Sequence, residues 1–171
     1  MPMQTRVKTL GAFFILSAFA SVSMAADDPF TGTWALDPVA SNKEGQGYLV
    51  LLINIVGDRE SYRNEFLMPN GTHEITHYQA PFDGKQYPSE TITTKPDGVT
   101  KVVRKDFVSL KRTGPREEER RHTNPHVVIR RSVSADGNTL FIKENNLDAS
   151  GHEGPVVENL VFKRVSQTAQ P

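Results

Sequence analysis

The feature that most constrains this chain is a rhythm of short β-branched and aromatic segments broken repeatedly by glycine-bearing turns. Asn70-Gly71, Asp83-Gly84 and Asp97-Gly98 follow one another at thirteen- to fourteen-residue intervals, and Asp136-Gly137 and Ser150-Gly151 repeat that spacing further on. Asn-Gly and Asp-Gly supply the positive φ that tight hairpin turns require. The segments between them, such as Tyr48–Val56, Glu60–Met68, Thr72–Gln79, Val127–Val133 and Val156–Val165, are rich in Val, Ile, Thr, Phe and Tyr. Several alternate with period two: Tyr62 and Phe66 share one face, and Arg63, Glu65 and Leu67 the other. No segment after the first 25 residues reads as an amphipathic helix. The pattern predicts an all-β domain of about eight to ten antiparallel strands in up-and-down order.

An open sheet of that size exposes two edges, and closure into a barrel removes them. The competing architecture is a sandwich, which needs one dry face on each sheet. Lys101–Phe107 and Glu117–Thr123 are polar on both faces. That favours a barrel, whose interior can stay partly polar.

Ahead of the strands lies a different kind of segment. Arg6 and Lys8 precede an uncharged apolar run, Leu10–Ala20, and Ser23-Met24-Ala25 places small residues before Ala26. These are the three parts of a secretory signal peptide. The apolar run is well short of the ~20 residues of a spanning helix. The expected division is a cleaved signal over 1–25 and one domain over 26–171, in the periplasm or secreted. With no cysteine in the chain, lipid attachment of the lipoprotein kind is excluded, as are disulfides and thiolate chemistry.

The chain has 20 basic and 20 acidic residues, so electrostatics give no case for nucleic acid as a partner. His73 and His77 have the spacing of a helical zinc pair, but on a strand they stand about 13 Å apart, too far to share an ion. No metal site, cofactor motif, phosphate-cradling loop or nucleophile elbow is present. Nothing here reads as an enzyme. A buried His–carboxylate or Tyr–Arg pair at a pocket floor would reopen that question. The charged run Arg116–His122 reads best as a solvated edge, with Glu119 facing Arg131 across a hairpin at Asn124-Pro125.

The opening of the domain, Phe30-Thr31-Gly32-Thr33-Trp34-Ala35-Leu36-Asp37, holds the chain's one tryptophan. It resembles the start of small secreted bacterial lipocalin-like β-barrel proteins, a largely uncharacterised group. Tyr78–Pro88 with its Asp83-Gly84-Lys85 turn, Phe107–Arg112, Ser134–Leu140, Asp148–Gly151 and the closing strand Leu160–Arg164 are similar to that group's later segments, in the same order. The resemblance implies a lipocalin-like barrel of about ten strands. It also implies a structural closure in which Gly32 admits a sharp turn, Trp34 plugs one barrel end, and Arg164 (or Lys163) stacks on the indole.

The aromatic residues Tyr62, Phe66, Tyr78 and Tyr87 are the expected walls of a ligand pocket, with Arg104 as a polar anchor. The expected partner is a small, largely apolar ligand held inside the barrel. The alternative is an interaction module with a self-filled barrel whose edge binds another envelope protein.

Overall fold

The computed structural model describes residues 28–165, so the expected signal peptide lies outside the described residues. Ten strands follow in sequence: β1 (Gly32–Leu36), β2 (Tyr48–Val56), β3 (Arg59–Leu67), β4 (His73–Pro81), β5 (Tyr87–Thr94), β6 (Lys101–Gly114), β7 (Glu117–Thr123), β8 (His126–Val133), β9 (Thr139–Leu147) and β10 (Glu153–Arg164). Each pairs antiparallel with its neighbour in the chain, and β1 pairs with β10 to close the barrel. The architecture is a single ten-stranded up-and-down β-barrel. Among the described residues, no helix is long and apolar enough to cross a membrane.

The turns form where the dipeptides demand them. Gly137 takes φ 74°, and the Asp136 side chain accepts the Asn138 N–H at 3.1 Å, fixing the β8–β9 hairpin. Some boundaries differ from the sequence reading: β6 runs on past Phe107 to Gly114, and β10 begins at Glu153 rather than Val156. β5 begins at Tyr87, with Pro88 opposite Phe107. A proline lacks the ladder donor but is tolerated at the start of a strand.

The two ends of the barrel differ. At one end Phe30, Trp34 and Phe162 are fully buried. Trp34 Nε1 donates to the Phe30 carbonyl at 2.9 Å. Arg164 lies opposite Trp34 in the β1–β10 ladder, with its guanidinium 4.1 Å from the ring centroid. The same guanidinium donates to the carbonyls of Gly137, Thr31 and Pro29 at 2.7, 2.5 and 2.7 Å. Gly32 has φ 149°, and a Cβ there would collide with Arg164 Nη1, so the residue is glycine for space as well as for backbone. This end is plugged. Lys163, the other stacking candidate, instead donates to Thr139 Oγ1 at 3.2 Å.

The other end is a mouth. There β6 pairs with β5 from Lys101 onward but meets β7 only from Val108. The β5–β6 hairpin therefore rises past the β7–β8 turn, leaving that side of the mouth low.

Candidate functional site: the barrel cavity and its floor

Between plug and mouth lies a cavity of about 360 Å³. Its wall is divided by strand. From β8 through β10 to β1 and β2, the inward positions are Val127, Ile129, Ile142, Leu160, Phe162 and Leu51. From β4 to β7 they are Thr76, Thr91, Arg104, Asp106, Arg120 and His122. β3 is the seam, contributing Tyr62, Asn64 and Phe66. Two acids, Glu144 and Glu158, interrupt the apolar side, and Lys43 pairs with Glu158 at 3.0 Å. Burial, then the neighbouring Glu158, raises the Glu144 carboxyl above its ordinary range.

Beneath the cavity is an ion network with a buried centre. Arg131 is shared between the carboxylates of Glu60 and Glu118, and all three side chains are essentially inaccessible. Glu118 also faces Arg112 at 3.5 Å, and Arg112 pairs with Asp28. Burial raises Glu118 to about 7; Arg131 opposes that rise and Glu60 adds to it, since two acids share one guanidinium. Tyr78 donates its hydroxyl to Glu60 and accepts from Arg120 Nη1 at 3.1 Å. Burial leads the causes that push the Tyr78 phenol well above its ordinary value, so it stays a neutral donor.

Arg120 differs from the arginines beneath it in its lack of an ion pair. It is 5% exposed and meets no carboxylate within ion-pair distance among the described residues; its Nε–H is unpartnered there, as is that of Arg131. Its contacts are the Tyr78 hydroxyl and the Tyr62 ring, whose centroid lies 4.5 Å from the guanidinium carbon. The Tyr62 and Tyr78 rings stack at 4.8 Å, and this holds the platform flat. A buried guanidinium does not lose its proton. It is a fixed positive charge bordering a cavity.

Beside it, His122 Nδ1 meets Asp106 Oδ2 at 2.5 Å. Asp106 Oδ1 also accepts from the backbone N–H groups of Phe107, Thr123 and Asn124 and from the Thr123 hydroxyl. Burial raises this carboxyl, but the bonds from His122 and Thr123 outweigh it and hold Asp106 at about 2. Burial lowers His122 despite Asp106, favouring the neutral ring. Neutral imidazole with Nδ1 committed leaves Nε2 as the nitrogen available to a guest.

The structure places the residues expected from sequence as follows. Tyr62, Phe66 and Arg104 line the cavity. Tyr78 lies in the floor, reaching the cavity through its bond to Arg120. Tyr87 does not line it: its hydroxyl donates to Asp83 at 2.9 Å in a local turn motif, and its ring packs partly buried against the core. The reading of Arg116–His122 as a solvated edge is corrected, because Glu118, Arg120 and His122 point inward. The cross-hairpin register is also one residue off the expected one. Glu119 pairs with Arg130 at 3.1 Å on the outside, and Arg131 pairs with Glu118 inside. Both the His–carboxylate pair and the Tyr–Arg pair that would reopen the question of catalysis are present. No group of three or more His, Asp or Glu among the described residues could hold a metal ion.

No family model matches the chain. No curated protein matches it. Among solved structures it is similar to one described as the REP1-NXSQ fatty acid transporter, at 16% identity and a TM-score of 0.51, over 80% of this chain and 96% of that one. At that identity the likeness concerns the fold alone, a closed antiparallel barrel.

Proposed function

We propose that the protein binds a small, largely apolar organic acid inside the barrel, with the acid group at Arg120. The observation that carries this reading is the guanidinium itself: buried, in no ion pair among the described residues, and lining the cavity. Leaving such a group without an anion is costly, and an incoming carboxylate supplies the missing partner through charge-assisted bonds. The Tyr78 hydroxyl, which accepts from Arg120 Nη1, holds the guanidinium in place for that guest. The apolar side chains opposite, from Leu51 to Phe162, take the hydrocarbon. The similar barrel described as a fatty acid transporter supports the same class of guest. Export to the periplasm, expected from the N-terminal segment, would make this a carrier or scavenger of the cell envelope.

Native mass spectrometry of the mature protein from its own host tests this. A co-purifying small acid, absent from a folded Arg120→Met variant, is the expected result. A guest-free mass, together with no thermal shift across a panel of organic acids, would overturn it in favour of the envelope interaction module.

A second reading rests on the His122–Asp106 pair, which has the arrangement of an oriented general base. In that case the guest is a substrate whose proton His122 Nε2 removes. Turnover of a bound acid that is lost in His122→Gln, with binding retained, would establish this second reading.

A further inference from the structure

The cavity is divided along its length as well as ended by a charge. The strand order makes the division contiguous: the apolar positions belong to five neighbouring strands, β8, β9, β10, β1 and β2, and the polar ones to β4–β7, apart from Glu144 on β9 and Glu158 on β10, the latter paired with Lys43. A straight alkyl chain has no polar side. Laid in this cavity, it would cover hydroxyl and imidazole groups with methylenes and leave them without partners.

The polar side is well placed to do more than hold water. Thr76 and Thr91 are cross-strand neighbours whose hydroxyls lie 2.8 Å apart, so one donates to the other and one hydroxyl proton remains to be given. Thr91 is buried. His122 has Nδ1 committed to Asp106, which leaves Nε2. Asn64 spends its carbonyl on the Thr76 N–H at 2.9 Å, which leaves its amide donors. Thr76 stands two residues along β4 from Tyr78, and His122 two residues along β7 from Arg120, each about 7 Å nearer the mouth along its strand. The hydrogen-bonding groups are thus offset from the charge by several carbons of a guest.

From this juxtaposition we infer that the guest is facially amphipathic: an organic acid bearing hydroxyl or carbonyl groups along one side of its hydrocarbon body, away from the acid group. The inference rests on the reading of Arg120 as the acid anchor. The apolar side takes the bare hydrocarbon face, and Thr76, Thr91 and His122 take the oxygens. A hydroxylated guest then exchanges its hydration for partners already held in place by the sheet, which costs little reorganisation.

The test compares dodecanoate with a dodecanoate carrying a vicinal diol at mid-chain, titrated by calorimetry into the mature wild-type protein and into a Thr76→Val/Thr91→Val double variant. Valine keeps the shape of threonine, and binding of plain dodecanoate by the variant reports that its barrel is intact. The wild type is expected to bind the diol about tenfold more tightly than the plain acid, the scale of one or two net hydrogen bonds. In the variant that preference is expected to vanish while plain dodecanoate binds at least as well. Equal affinities in the wild type, or a preference for the plain acid, would overturn the two-faced guest and leave the acid anchor standing. Failure of both acids to bind would remove the anchor and this inference together.

Discussion

Two arginines a few ångströms of barrel apart have opposite surroundings. Arg131 in the floor is enclosed by Glu60 and Glu118 and does not line the barrel cavity. Arg120, just above it, has Tyr78 and Tyr62 for neighbours and no carboxylate within ion-pair distance among the described residues. Both are buried. The difference separates a charge used to hold the fold from a charge kept for something else. In the floor every charge is answered within the protein, as burial demands. In the cavity the answer is missing, and the missing group is what the protein is expected to bind.

The largest effect expected from this contrast is at Arg131. Changing Arg131→Met would leave Glu60 with the Tyr78 hydroxyl and Glu118 with Arg112. Breaking a buried pair in this way costs about 3–5 kcal/mol. Urea unfolding of the two proteins measures it, and an unchanged midpoint would break the distinction between floor and cavity. The same change at the other arginine, Arg120→Met, removes a buried charge that is in no ion pair among the described residues. Stability is expected to stay within about 1 kcal/mol of wild type or to rise, while affinity for an organic acid falls by about tenfold or more. A large loss of stability there would show Arg120 to be part of the scaffold.

A smaller effect concerns pH. Glu118 is raised from 4.5 to about 7, so the folded state binds more protons than the unfolded state between those values. Its contribution to stability is full below 4.5 and is lost as pH rises through about 7. Asp106, lowered from 3.8 to about 2, acts the other way: its contribution is full above 3.8 and disappears as pH falls through about 2. His122, lowered from 6.5, works against stability as pH falls below that value. Glu118→Gln is therefore expected to gain stability relative to wild type as pH rises from 4.5 to 7. Parallel pH profiles for the two proteins would contradict this origin of the slope.

The fold was legible because its signals are local. The Asn-Gly and Asp-Gly turns set hairpin after hairpin, and the doubly polar segments Lys101–Phe107 and Glu117–Thr123 argued for a barrel with a partly polar interior. The Gly32–Trp34 opening marked the plugged end. The site was less legible, and for the same reason that the barrel was. A strand polar on both faces has no phase: nothing within Glu117–Thr123 distinguishes the row Glu118, Arg120, His122 from the row Glu117, Glu119, Arg121. The phase comes from β8, where Glu118 falls opposite Arg131 and Arg120 opposite Ile129. The one-residue error in placing Arg131 against Glu119 put the whole row outside. The signal that could have found it was the alternation of Val127, Ile129 and Val133 on β8, which places Arg131 among inward residues. Tyr87 was misjudged because nearness in sequence stood in for nearness in space. The Asp83 turn holds its hydroxyl away from the cavity.

The most direct test of the account is a crystal structure of the mature protein with dodecanoate bound. The expected result is the carboxylate within hydrogen-bonding distance of the Arg120 guanidinium, with the chain against Leu51, Ile129 and Phe162. A carboxylate held at the mouth by Arg104, or a chain lodged outside the barrel, would contradict it.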